Sequence, residues 1–244
     1  MNVYVPNIFG YEQAFRSMYM SKRSYSDEIE RKIQVAVQTG IEARTGRYLP
    51  GKSSDLDSML DKLTTMGRKH ITVLRFLNFD IVTIGLHRAG QDDVDAHARR
   101  FDNRIIRAST RLADFEQDEF SDFYKDKVIT TDRMAGLLNV HLPDAVNVED
   151  TETGESHIYR KVPNGYVREE YLEDRDVKRG LYMMGIPSNF VAQINITEFA
   201  HIYKLRNRNT HANPEVREWA EAVLKKLQEK CPWFNESLMM DIDN

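Results

Sequence analysis

The stretch 194-INITEFAHIYKLRNRNTHANPEVREWAEAVLKKLQEKCPWF-234 carries the strongest local signals in the chain. Its second half, "NPEVREWAEAVLKKLQEKCP", predicts a long helix. Asn213 is a good N-cap, and Pro214 suits the first helical position, where no backbone N–H is needed. Val216, Ala220, Val223 and Leu227 then recur at steps of four and three and form one apolar stripe. Its first half, "TEFAHIYKLR", predicts another helix, with Thr197 as the capping residue. Just before it, "NFVAQINI" reads as a strand or as the start of a longer element.

Working outward, "NVYVP" near the start reads as a short strand. "YEQAFRSMYM" and "DEIERKIQVAVQTGIEA" read as helices, the second with Ile29, Ile33, Val35 and Val37 as a loose stripe. "RTGRYLPGKSSD" is a loop, punctuated by Gly, Pro and Ser. "DLDSMLDKLTTMG" is helical, with Leu56, Met59 and Leu63 inward and Gly67 as the stop. "ITVLRFLNFDIVTIGL" is rich in β-branched and aromatic residues and predicts one long strand in a curved sheet. "DDVDAHARRFDNRIIRASTRLADF" predicts a helix, because Val94, Ala98, Phe101, Ile105, Ala108 and Leu112 follow helical spacing. Asp92 and Asp93 suit its N-terminus. "FEQDEFSDFYKD" and "DVKRGLYMMG" read as further helices. "ETGESHIYRKVPNGYVREEY" reads as a hairpin turning at Asn164-Gly165. The expected architecture is α+β: helices around a small curved antiparallel sheet, a single domain over 1–244 with a hairpin insertion at about 129–174.

The composition fits a folded protein in water. Of 244 residues, 41% are apolar, enough to fill a core, and 30% are charged, enough to solvate a surface. The net charge of −4 speaks against a bulk nucleic-acid binder, so phosphate binding should be local. The lone Cys231 excludes an intramolecular disulfide framework and fits a reducing cytoplasm. The N-terminal residues lack the features of a signal peptide, and no apolar run reaches the roughly 20 residues of a membrane span.

Several sources of chemistry are missing. No Gly-rich phosphate loop and no Gly-x-Ser-x-Gly elbow occurs. One cysteine cannot build a zinc cluster, the histidines lack helical metal spacing, and no metal site is predicted. Reactivity should therefore come from a bound cofactor. What does stand out is "RRFDNRIIRASTR", 99–111, with five arginines in thirteen residues. A solvated helix face is one reading of it. A phosphate site is the other. On a helix turning about 100° per residue, Ser109 and Arg111 fall about 80° to either side of Phe101, flanking the buried stripe.

The C-terminal stretch resembles that of the flavin-dependent thymidylate synthases. That family shows an Asn, a helix ending in Leu-Arg, an Ala-Gln-x-Glu-Ile-Arg-like run, and a long helix ending in Pro-aromatic. Asn195, Leu205-Arg206, "ANPEVR" and "CPWF" stand in those places. Arg179, sixteen residues before Asn195, and Arg206, eleven after it, also match. Upstream, "HITVLRF" is similar to the family's His-Glu-Thr-Pro-Phe-Glu-His at His70 and Thr72. "YMSKRSYS" takes the place of the family's first helix and its serine. The signature Arg-His-Arg-x-x-Ser-x-Asn-Glu-x-Ser-x-Arg falls on 99–111. Arg99, Ser109 and Arg111 match it. Arg100, Phe101, Arg104, Ile106 and Arg107 replace its His, Arg, Ser, Asn and Glu.

The resemblance implies a homotetramer with active sites between subunits. It implies FAD as cofactor, NADPH and methylenetetrahydrofolate as cosubstrates, and methylation of dUMP to dTMP without an enzyme nucleophile. It assigns Ser109, Arg111 and Arg179 to the dUMP phosphate and Arg206 to the uracil ring. His70, Thr72, Arg99 and Asn195 fall to FAD. The chemistry agrees: arginine is a permanently charged fork for phosphate, and a fixed cation stabilises charge developing on a uracil carbonyl. Stacking flavin on pyrimidine would set the reacting atoms at transfer distance. Each residue also has a plainer reading. Arg179 could pair with Asp174 or Asp176, Arg206 could complement a helix C-terminus, Asn195 could be a cap, and His70 could be a core or loop histidine. Two rival functions stay open. One is a divergent FAD enzyme that modifies or binds another pyrimidine nucleotide. The other is a non-catalytic oligomeric nucleotide-binding protein.

Overall fold

The protein is α+β, and its computed structural model describes residues 1–97, 104–107, 121–122, 131–149, 153–162, 165–173, 186–208 and 213–242. In chain order, β1 (Asn2–Tyr4) and β2 (Ile8–Phe9) lead into α1 (Tyr11–Ser21), α2 (Asp27–Gly40) and α3 (Ser54–Gly67). A 3-10 helix (Ile71–Phe76), β3 (Asn78–His87), α4 (Arg88–His97) and β4 (Arg104–Arg107) follow. Next come α5 (Thr131–Leu137), β5 (Ala145–Glu149), β6 (Ser156–Val162), β7 (Gly165–Arg168) and a 3-10 turn (Glu169–Tyr171). The described elements close with β8 (Pro187–Asn195), α6 (Ile196–Arg208), α7 (Pro214–Lys230) and α8 (Glu236–Asp241). The chain divides into two units. One comprises Met1–Ile84, Gly90–Ile106 and Asn189–Asn244; the other comprises Gly85–Ala89 and Arg107–Ser188.

In the first unit, five strands form a sheet in the order β1-β3-β8-β4, with β2 also pairing β3. β1 and β2 run antiparallel to β3, Tyr4 opposite Val82 and Phe9 opposite Asn78. Strand alternation turns Phe79, Ile81 and Thr83 of β3, with Phe190, Ala192 and Ile194 of β8, towards the buried face. α6 and α7 cover that face. Phe199 meets Phe79 edge-on at 5.6 Å, and Trp219 lies 6.0 Å from Phe190. On the opposite face Tyr4, Ile84 and Val191 are exposed. α7 starts as expected: Asn213 accepts from Glu215 N at 3.0 Å, Pro214 is its first residue, and Val216, Ala220, Val223 and Leu227 are buried.

α1, α2 and α3 pack together through Phe15, Met18, Ile33, Ala36, Leu56, Met59, Leu60 and Leu63, all buried. Each large side chain so buried contributes about 1.5–3 kcal/mol. Ser26 and Ser53 cap α2 and α3. On α2 the inward line runs through Ile33, Ala36 and Gly40, whereas Val35 is exposed. Val35 sits about 200° around the helix from Ile33, so the predicted stripe misplaces it.

The expected long strand over 71–86 is a 3-10 helix followed by β3. Val73, Leu74 and Leu77 are buried there, and the Leu74 side chain presses on Gly67. A Cβ on Gly67 would lie 2.3 Å from that leucine, so Gly67 permits a close approach as well as ending α3. Burial against the helices overrides the β propensity of the segment.

The helix expected from Asp92 to Phe115 is also corrected. α4 starts at Arg88, and Arg104–Arg107 is strand β4 at the sheet's edge. Of the predicted stripe, Val94 is buried in α4 and Ile105 belongs to β4, while Ala98, Phe101, Ala108 and Leu112 lie outside the described residues. The angular placement of Ser109 and Arg111 on one helix therefore falls. In a strand Ile105 and Arg107 share one side and Ile106 takes the other. "DVKRGLYMMG" lies outside the described residues, as does "FEQDEFSDFYKD" apart from Ser121 and Asp122.

In the second unit β5, β6 and β7 form an antiparallel sheet in that order. The predicted hairpin is β6–β7, but Val162 pairs with Gly165. Gly165 thus belongs to the strand, and the connection is 163–164, one residue earlier than expected. Pro163 and Asn164 themselves lie outside the described residues. β5, "AVNVE", has its own alternation at Val146 and Val148 and adds a strand the sequence reading missed.

Candidate functional site

α6 carries two of the predicted site residues, one at each end. At its start the cap is Asn195 and not Thr197. Asn195 is buried, and its Oδ1 accepts from Glu198 N at 2.9 Å and from the Thr197 hydroxyl at 2.6 Å. Asparagine caps well because its short side chain reaches back to the free N–H groups of the first turn. The same junction is tied to the sheet by Ile196 N donating to Leu77 O at 2.9 Å.

Eleven residues on, Arg206 is 6% exposed. Its Nη2 donates to the main-chain oxygen of Asp93 on α4 at 2.9 Å, and its Nη1 lies 3.6 Å from Asp93 Oδ2. Its Nε is buried without a hydrogen-bond partner, as are Asn207 Oδ1 on the next residue and Arg217 Nε at the start of α7. A buried donor or acceptor left unpaired is costly, and a native protein keeps few of them. All three belong to α6 and α7.

At 1.5 Å per residue, Asn195 and Arg206 stand about 16 Å apart along α6. One pyrimidine ring cannot meet both. A ligand pair, or a long dinucleotide with a shorter partner, can.

His70 and Thr72 are exposed at the start of the 3-10 helix; the His70 side chain makes no cap. Arg99, Ser109, Arg111 and Arg179 lie outside the described residues. Arg107 is half-buried and Ile106 exposed on β4. Tyr203, one turn before Asn207, has its hydroxyl pushed up to about 12, first by burial and then by the Glu236 carboxylate. It therefore stays protonated at neutral pH. The sequence reading missed Asp93 as a partner of Arg206. It weighed Asp93 only as a helix N-terminal charge, and 113 residues separate the pair in the chain.

A cavity of about 460 Å³ lies between β2, α1 and α2. Glu12, Gln13, Gln34, Gln38 and Glu42 line it, and no Lys, Arg or His does. Two carboxylates and no cation give the wrong sign for a nucleotide phosphate, and none of the predicted residues reaches it. Among the described residues no group of metal-ligating side chains comes together, and no helix is long and apolar enough to cross a membrane.

Residues 11–233 match the family model described as thymidylate synthase complementing protein. No curated protein matches the chain. Among solved structures, it is similar to thymidylate synthase X from Helicobacter pylori with FAD and dUMP. The TM-score is 0.57 at 14% identity, covering 98% of this chain and 100% of that one. A second structure, flavin-dependent thymidylate synthase from Helicobacter pylori complexed with FAD and dUMP, gives 0.55 at 13% identity and covers both chains fully. At these identities the likeness is one of fold.

Proposed function

The chain belongs to the thymidylate synthase complementing protein family, and from this premise we propose that it is a flavin-dependent thymidylate synthase that methylates dUMP to dTMP. The family match over residues 11–233 carries the reading. The buried Arg206 with its unpaired Nε supports it from the geometry.

FAD is the cofactor, and the donor set suits it. Exposed imidazole and hydroxyl groups at His70 and Thr72 can meet its polar edges. Asn195, whose Oδ1 is committed to the cap, can offer its amide nitrogen. Bound FAD supplies the hydride, drawn from NADPH, while methylenetetrahydrofolate supplies the one-carbon unit. Arg206 holds the uracil and stabilises negative charge on its carbonyl in the transition state, as a fixed cation excluded from water does best. Ser109, Arg111 and Arg179 hold the phosphate, and Arg99 joins the FAD contacts. The chain works as a homotetramer with its sites between subunits. The exposed Tyr4, Ile84 and Val191 on the open face of the sheet fit contact with another subunit. The β5–β7 region is an insertion on a single family domain, and the location is cytoplasmic.

The purified protein should be yellow. It should release tritium from 5-tritiated dUMP with NADPH and methylenetetrahydrofolate. A colourless protein that gains no thermal stability from FAD would sink the cofactor assignment. Bound flavin without tritium release would favour a second reading, a divergent FAD enzyme acting on another pyrimidine nucleotide. What favours that reading is the altered middle of the signature, Arg100, Phe101, Arg104, Ile106 and Arg107.

A further inference from the structure

An arginine that is to read a ring carbonyl must hold its planar fork still. The guanidinium of Arg206 has contacts at its terminal nitrogens only. Nη2 donates to the Asp93 carbonyl at 2.9 Å, Nη1 faces the Asp93 carboxylate at 3.6 Å, and Nε, also buried, has no partner. The Nη2 hydrogen bond anchors one corner of the rigid, planar fork, and the Asp93 carboxylate adds charge attraction at the other. A carbonyl oxygen has two lone pairs, so Asp93 can accept from Arg206 without leaving the hydrogen-bond ladder of α4. Of the five N–H donors of Arg206, the inner one, Nε–H, is out of water and unmatched.

We propose that Asp93 is a positioning residue for Arg206: it anchors the outer end of the fork and so presents the buried Nε–H to a carbonyl oxygen of the pyrimidine. This rests on the reading of Arg206 as the uracil contact. Asp93 itself touches no ligand. A pair serving stability alone would not need to leave a buried guanidinium N–H unmatched.

The test is a double-mutant cycle on the full-length, flavin-loaded protein, with dUMP affinity measured by calorimetry. D93A removes the carboxylate and leaves the main-chain hydrogen bond, and should weaken dUMP binding about fivefold, the loss of one partly exposed charge contact. In the R206A background the same substitution should change affinity by less than about twofold, because Asp93 acts through Arg206. D93N keeps the volume but loses the charge, and should weaken binding about threefold; both variants leave the main-chain contact in place. It carries the comparison if D93A does not fold. In turnover, D93A should lower kcat more than it raises KM for dUMP, since the contact strengthens as charge develops. Equal losses in both backgrounds would mean a merely structural role, and unchanged affinity in both D93 variants would overturn the proposal outright. If the wild-type protein binds no dUMP at all, the proposed function fails first, and the ligand named here falls with it.

Discussion

Trp219 donates its indole N–H to the Thr83 hydroxyl at 2.9 Å, and both side chains are wholly buried. The bond joins α7 to the inner face of β3, where an unpaired polar group could not reach water. T83V keeps the volume but strands the indole N–H. It should cost about 1–3 kcal/mol in urea unfolding. Adding W219F should not add its full cost, because the stranded donor leaves with the ring. Additive losses in the double variant would show that the bond does not couple the two residues.

Asn195 should prove to be a cap whatever else it does. N195A removes the acceptor for Glu198 N and should lower stability by about 1 kcal/mol. N195D keeps a capping oxygen and should melt close to wild type, yet it loses the amide nitrogen. If Asn195 also contacts FAD, flavin retention after gel filtration should drop in N195D without a matching fall in melting temperature.

Acid should loosen the α1–α2 contact. Glu30 receives Arg16 Nη2 at 2.6 Å, the Tyr25 hydroxyl at 2.6 Å and the Gln34 amide at 2.7 Å. Led by the Arg16 bond, these lower its carboxyl from 4.5 to about 2. The folded-state value is depressed, so the stabilisation is complete above pH 4.5 and is lost as pH falls towards 2. Melting temperature followed over that range should decline more steeply in wild type than in E30Q.

The single thiol should be silent in the native protein. Cys231 is buried, and burial pushes it up to about 12. A thiolate is the reactive form, so an aromatic disulfide reagent at pH 8 should label Cys231 only on unfolding. C231A should keep its turnover with dUMP, because a thiol held protonated cannot serve as the nucleophile. A large loss of kcat in a C231A protein that melts like wild type would contradict this.

Elements were legible where one helix or strand carries its own signal. The α7 cap at Asn213-Pro214, the inward line Val216–Leu227 and the start and stop of α3 all follow from side chains within a few residues. The segments 71–76 and 104–107 misled for the opposite reason. Both are rich in residues that suit more than one backbone state. Val73 and Leu74 are drawn into a 3-10 helix by burial beside Gly67, and Ile105 and Ile106 are taken up at the edge of the sheet. Asn195 and Thr197 both stood as cap candidates, because both residue types cap well, and only the observed bonds decide between them.

For the site, the sequence alone determined which residue types stand at which spacing: Arg206 eleven residues after Asn195, and an arginine-rich signature with an altered middle. Spacing along one helix is fixed by backbone geometry, so Arg206 could be placed near the end of α6 without coordinates, while Asn195 was read in the segment before it. What only the tertiary structure decided is the environment of each. Asp93 reaches Arg206 across 113 residues of chain, and the guanidinium is buried with its Nε unmatched. Such pairings depend on how α4 and α6 pack, which is settled by the burial of the whole core and leaves no mark in either local stretch.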